Sequence, residues 1–277
     1  MTTQSGPSEK YLNPPESFRI PGRPHRVIGD LYAVGTTDLG IFFIATDEGH
    51  ILINTGIQDS DALIRRNMEV LGFDLRDVKI LLSMQSHWDH TGALAAIQRE
   101  TGADMVATRA DARILQDGGW SDPHFGGSEM FEPVKVDHLV VDGDVVSLGG
   151  VDLTVHEHRG HTEGSSSYTF QVEEGGRRYD VAIVNMATIN AGKRLLVDPT
   201  YPGVADDFAE TFAKQKQLDV DVWVAAHASH YRLQDKLGSD DEYRPDRFVD
   251  PSGLRAAVER LEQKYLQQLE NERAQLD

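Results

Sequence analysis

KILLSM (79–84) runs straight into QSHWDHTGALAAIQRETG (85–102), and this junction decides the fold. Five of the six residues in the first string are apolar or small, as in a strand buried on both faces. The second half of the following string has helical spacing and stops at Gly102. Between them, Gln85, His87, Asp89 and His90 place four metal-binding side chains within six residues at a strand exit, where a sheet opens its crevice. In an extended segment Gln85, His87 and Asp89 face one way and Trp88 the other. His90 then swings round as the helix begins, with Thr91-Gly92 allowing a tight turn.

Working outward, short β-rich runs precede the junction at LYAV (31–34), IFFIAT (41–46) and HILINTG (50–56). Others follow at MVAT (105–108), DVVSL (144–148), VDLTVHEH (151–158), SSSYTFQV (165–172), RYDVAIV (178–184) and DVWVAA (221–226). Helices are predicted from Ser60 or Asp61 to about Leu71, over 206–218, and over Pro251–Leu276. The last carries Leu254, Val258, Leu261, Tyr265 and Leu269 on one side. One stripe covering few heptads makes it a docked helix rather than a coiled coil. The halves 30–110 and 140–227 share a strands-then-helix plan, which predicts a sandwich of two mixed sheets covered by helices. Pro7, Pro14, Pro15, Pro21 and Pro24 predict an extended surface arm over 1–24, leaving 25–277 as a single domain.

Composition narrows the chemistry. The 277 residues include no cysteine, which excludes disulfides, thiolate zinc sites, iron–sulfur clusters and cysteine nucleophiles. With 27 Lys+Arg against 45 Asp+Glu the formal charge is −18, the wrong sign for a nucleic-acid partner. No run approaches the roughly 18 apolar residues of a membrane span. The opening MTTQSGPSEKYLNPP has neither the basic start nor the apolar core of a secretion signal.

Two further histidines sit at strand ends as His87 does: His161 within RGHT (159–162), and His227 directly after DVWVAA. Three strand ends that each deliver histidine suit a polynuclear zinc site. Two zinc ions sharing a water would lower its pKa from 15.7 to roughly 7, so a zinc-bound hydroxide can attack without a protein nucleophile. Asp89, the only carboxylate of the cluster, suits both ligating an ion and orienting that water. In the loop GGWSDPHFGG (118–127), Trp120 and Phe125 are expected to flank a substrate cleft, and Trp88 to line it. His124, His156 and His158 read as loop, surface or outer residues. Ser165-Ser166-Ser167 has no general base paired with it and reads as a strand start.

These strings resemble the metallo-β-lactamase superfamily, whose motif is HxHxDH followed by two more histidines. Within it the chain is similar to the third subclass (B3), and there to GOB-type enzymes, in which glutamine replaces the first histidine. GHILINTGI, QSHWDHTGAL, GHTEGSSS, NMATIN, YPGVADDF and WVAAHASHY carry the likeness from about Leu31 onward. It implies an αββα sandwich with one zinc site of Gln85, His87 and His161 and a second of Asp89, His90 and His227, so that His230 is not a ligand. It also implies opening of the β-lactam ring of penicillins, cephalosporins and carbapenems, hence antibiotic resistance. A periplasmic location follows, with a leader already removed, and a monomer is expected.

Thioesterases and lactonases of the superfamily carry a metal-bridging aspartate between the third and last histidines. Here VNMATIN (184–190) has Asn185 and Met186, with no carboxylate until Asp198. That disfavours those hydrolases as the alternative and makes Met186 a wall residue of the cleft or a core methionine. A non-catalytic metal-binding module would need an incomplete ligand set. An amide oxygen is a weaker zinc ligand than imidazole, so the Gln85 site is expected to bind less tightly and the enzyme to work with one or two ions.

Overall fold

The computed structural model describes residues 13–238 and 242–276. Its first sheet takes β1 (His25–Ile28), β2 (Leu31–Ala33), β3 (Phe42–Thr46), β4 (Gly49–Ile53), β5 (Val78–Leu82), β6 (Asp104–Thr108) and β7 (His138–Val140), in that spatial order. β1 to β4 pair antiparallel, and from β4 onward the pairs are parallel. Parallel neighbours need long return connections. Helices fill these at Asp61–Val70, at Trp88–Thr91 with Leu94–Thr101, and at Arg109–Gln116. The second sheet contains β8 (Val145–Leu148), β9 (Val151–Glu157), β10 (Ser166–Glu174), β11 (Arg177–Val184) and β12 (Val222–Ala225), ordered β12-β11-β10-β9-β8.

Alternation along the strands builds two cores. Phe42, Ile44, Ile51 and Ile53 face Leu153, Val155, Tyr168 and Ile183 between the sheets. Phe43, Leu52, Leu81 and Met105 point the other way, onto Ile64, Met68, Leu94 and Ile114 of the helices. The second sheet is covered by helices Val204–Gln215 and Gly253–Arg273. Phe208 and Phe212 of the former pack on Tyr265 of the latter, whose hydroxyl donates to the Ala205 carbonyl at 2.8 Å. This is the expected αββα sandwich, and the C-terminal helix is docked through Leu254, Val258, Tyr265 and Leu269.

Three local expectations need correction. The helix Arg109–Gln116 was not anticipated, because eight residues with only Ala112, Ile114 and Leu115 as buried apolar groups are too short to show a period. Gly92 is helical at φ −58, so it serves no positive-φ turn. It is needed for close approach, since a Cβ there would lie 2.3 Å from the Gln58 nitrogen and 2.4 Å from the Ile57 carbonyl carbon. Of the arm expected over 1–24, residues 1–12 lie outside the described residues, and the remainder is not simply an extended surface strand. Glu16–Phe18 makes one 3-10 turn, and Phe18 is buried because the apolar ring finds Trp88 to pack on, centroids 6.2 Å apart.

Candidate metal centre

After β5 the chain stays extended to His87 (φ −73, ψ 149), which stands at the N-cap position of the helix Trp88–Thr91. The His90 amide and the Thr91 hydroxyl both donate to the His87 carbonyl, at 3.0 and 2.9 Å. Asp89 therefore lies on a helical turn and not in the extended run expected for it. That turn parts the four ligand candidates into two groups.

In the first group, Nδ1 of His87 lies 3.1 Å from Nε2 of His161, which sits between β9 and β10. His161 donates from Nδ1 to the Thr188 carbonyl at 2.7 Å, which leaves Nε2 as a lone pair turned to His87. Gln85 Nε2 lies 3.5 Å from the Asn185 Oδ1, and Gln85 Oε1 is buried with no hydrogen-bond partner. Burial, then the neighbouring His161 and Lys193, hold His87 well below the ordinary histidine value. Burial and Lys193 bring His161 down to about 3. Both imidazoles are neutral at pH 7, as metal ligands must be.

In the second group, Asp89 Oδ2 lies 3.6 Å from His90 Nε2 and 3.7 Å from His227 Nε2. Ligand atoms of the three residues lie within 4.8 Å of one another. His227 follows β12 and is aimed by Asp38, whose Oδ2 accepts from its Nδ1 at 3.0 Å. Burial works to raise the Asp38 carboxyl, but hydrogen bonding and charge from His227, with the Ser229 amide, outweigh it and bring the group to about 2. His230 is not part of the group whose ligand atoms come together, although its ring stands beside that of His227.

The donor geometry fits a small divalent ion. Two nitrogens about 2.0–2.1 Å from a tetrahedral zinc stand about 3.3 Å apart, close to the His87–His161 spacing. Gln85, whose amide oxygen is buried without a hydrogen-bond partner, is the candidate third donor.

The remaining site candidates divide. Phe125 meets the His87 ring edge-on, centroids 4.8 Å apart. Trp88 lines a cavity of about 450 Å³ together with Phe18, Leu63 and Phe131, and no residue lining it is a ligand candidate. Trp120 stands 54% exposed on its loop. Of the two readings open for Met186 the structure favours the core methionine: it is 2% exposed between the sheets, just after β11. His158 touches no ligand candidate; its Nδ1 bonds the Ser167 hydroxyl at 2.7 Å.

Sequence reasoning missed the supports: Asp38 behind His227, Thr188 behind His161, Asn185 beside Gln85, and Asp122, whose Oδ2 lies 3.5 Å from His87 Nε2. It also missed Phe18, whose ring stands 5.7 Å from that of His227. The Asp122 loop carried a signal in its glycine-flanked SDPHF string, and Asn185 and Thr188 lie in the NMATIN string.

Residues 41–174 match the metallo-beta-lactamase superfamily. The class B3 di-zinc metallo-beta-lactamase LRA-12 from an Alaskan soil metagenome is 40% identical, with 96% of this chain and 99% of that one covered at a TM-score of 0.90. GOB-18 from Elizabethkingia meningoseptica, also a metallo-beta-lactamase, is 39% identical with 96% and 98% covered, again at 0.90. Among curated proteins, a hydroxyacylglutathione hydrolase of Bradyrhizobium sp. strain BTAi1 is 25% identical over 196 residues. That match spans 71% of this chain and 66% of the relative.

Proposed function

The chain belongs to the metallo-beta-lactamase superfamily, and we propose that its site is a zinc centre that hydrolyses the β-lactam amide of penicillins, cephalosporins and carbapenems. Gln85, His87 and His161 would hold one ion, and Asp89, His90 and His227 the other. What supports this reading is the pairing of His87 with His161 and the grouping of Asp89, His90 and His227, together with a likeness of about 40% identity to β-lactamases over nearly the whole chain. Zinc held there supplies Lewis acidity and an activated water near neutral pH.

The chain's own residues supply the rest. Thr188 and Asp38 hold the rings of His161 and His227 in the tautomers that present Nε2. Asp89 holds and orients the attacking water. Phe18 packs between Trp88 and His227, and Phe125 lies against His87, so an aromatic ring flanks each group. We place the activity in β-lactam resistance exerted in the periplasm; among the described residues no helix is long and apolar enough to cross a membrane.

The Bradyrhizobium relative supports a second reading, thioester hydrolysis. Against it stands the stretch 185–197, which contains no carboxylate to bridge two metals. The test is carbapenem hydrolysis followed by ultraviolet absorbance, with zinc-supplied protein and again after chelation. Turnover abolished by chelation is expected. No turnover with zinc bound, accompanied by cleavage of a glutathione thioester, would overturn the β-lactam reading in favour of the second.

A further inference from the structure

Asp111, on the unanticipated helix Arg109–Gln116, is buried at 4% exposure. Its Oδ1 accepts from the Ser86 hydroxyl at 3.1 Å and from the Gly164 amide at 3.0 Å. Its Oδ2 accepts from the Thr162 hydroxyl at 3.1 Å. Ser86 lies between Gln85 and His87, and Thr162 follows His161. One carboxylate thus bonds both chain segments that carry the first ligand group.

The approach is built for closeness. A Cβ at Gly164 would fall 2.3 Å from the Thr108 hydroxyl and 2.5 Å from the Asp111 nitrogen. Thr108 also donates to the Gly164 carbonyl at 2.8 Å. A carboxylate is a costly group to bury for packing alone. Burial pushes this one up to about 7, even against the opposing hydrogen bonds of Thr162 and Ser86.

We propose that Asp111 is a positioning residue: by tying Ser86 to Thr162 and Gly164 it sets the spacing of His87 and His161, and with it the metal affinity of the Gln85/His87/His161 group. The inference rests on the zinc-centre reading above. It extends that reading to a residue that touches neither metal nor substrate.

Zinc titration of the full apo-chain against a competing chromophoric chelator resolves the two binding steps. Asp111→Ala removes all three bonds and is expected to weaken the Gln85-group step by about 10–100-fold, leaving the Asp89-group step within about twofold of wild type. Asp111→Asn is expected to restore most of the affinity. Its amide oxygen can accept from Ser86 and Gly164, and its NH2 can donate to Thr162, whose hydroxyl also accepts.

If Asp111→Ala does not fold, Ser86→Ala and Thr162→Val each remove one bond to Asp111, the latter also the Thr162–Ser165 hydroxyl contact, and both are expected to weaken the same step severalfold, with Thr162→Ser unaffected. Wild-type protein that takes up zinc at neither group would overturn the zinc-centre reading itself, and one that fills only the Asp89 group would overturn the inference. Wild type that binds two ions, with Asp111→Ala or the single-bond variants titrating like it, would overturn the inference alone. So would a variant that only lowers the melting temperature, or one that weakens both steps equally.

Discussion

Replacing Asp38 by alanine removes the acceptor that aims His227. The carboxylate takes the Nδ1–H at 3.0 Å and also the Ser229 amide at 3.2 Å. The loop itself should survive, because its anchors are main-chain: the Ala228 amide on the Asp38 carbonyl at 2.6 Å, and the bridge between Leu39 and His227. Loss of an outer partner of this kind costs about 10–100-fold in metal affinity, or about 1.4–2.8 kcal/mol. A hydrogen bond to a charged group, worth about 1.5–3 kcal/mol, independently gives the same range. Both side chains are about one-fifth exposed, so solvent screening places the loss near tenfold. The same chelator titration reads it: the tighter step, assigned to Asp89, His90 and His227, weakens towards the other and the gap between them narrows. An Asp38→Ala protein whose two steps match wild type would show that His227 is aimed by the fold alone.

Gln85→His exchanges a neutral amide for a stronger imidazole donor and is expected to tighten the weaker zinc step by at least tenfold; an unchanged step would exclude Gln85 as a ligand. Phe18→Ala empties a buried aromatic position and should cost about 3 kcal/mol in equilibrium unfolding, whereas a loss under about 1 kcal/mol would mean the segment 13–24 unfolds independently of the core. Burial holds His158 down at about 3 in the folded chain, while the unfolded chain titrates near 6.5, so the unfolded state binds the extra proton between those values and stability falls as pH drops through that window. From pH 7.5 to 5 this is about 2 kcal/mol, and His158→Gln, compared by denaturant unfolding in chelator, should remove that much of the acid loss; an unchanged pH slope would refute it.

The sandwich was legible because its strands announce themselves locally. IFFIAT and HILINTG alternate between two cores, and after Lys79 the run ILLSM is apolar or small because β5 lies inside a sheet covered on both faces. The six ligand candidates were legible for a related reason: strand ends and a helix start place them in short strings. Their supports were not. Asp38 lies 189 residues from His227, and Asp111 lies 25 from Ser86 and 51 from Thr162. A lone aspartate in a loop or on a short helix has no pattern to betray a partner that only the tertiary fold supplies. The same limit left Met186 open between cleft wall and core, since its place in the sequence says nothing of which way the chain turns after β11.

The two ligand groups differ in charge as well as in donor type, and this bears on how far a single substitution can equalise them. The Gln85 group is formally neutral, and its two imidazoles are pushed towards the uncharged state by burial. It also lies under the field of Lys193, whose buried ammonium donates to the Gly160 and His161 carbonyls at 3.2 and 2.8 Å. A dication entering there meets that like charge, offset in part by the Asp122 carboxyl 3.5 Å from His87 Nε2. The Asp89 group presents one carboxylate directly and a second, Asp38, one hydrogen bond behind His227. Charges at such separations in a partly buried site are worth several kcal/mol before screening, more than the difference between an amide and an imidazole donor. Gln85→His improves the donor without adding charge, so it should narrow the gap between the two zinc affinities without reversing their order.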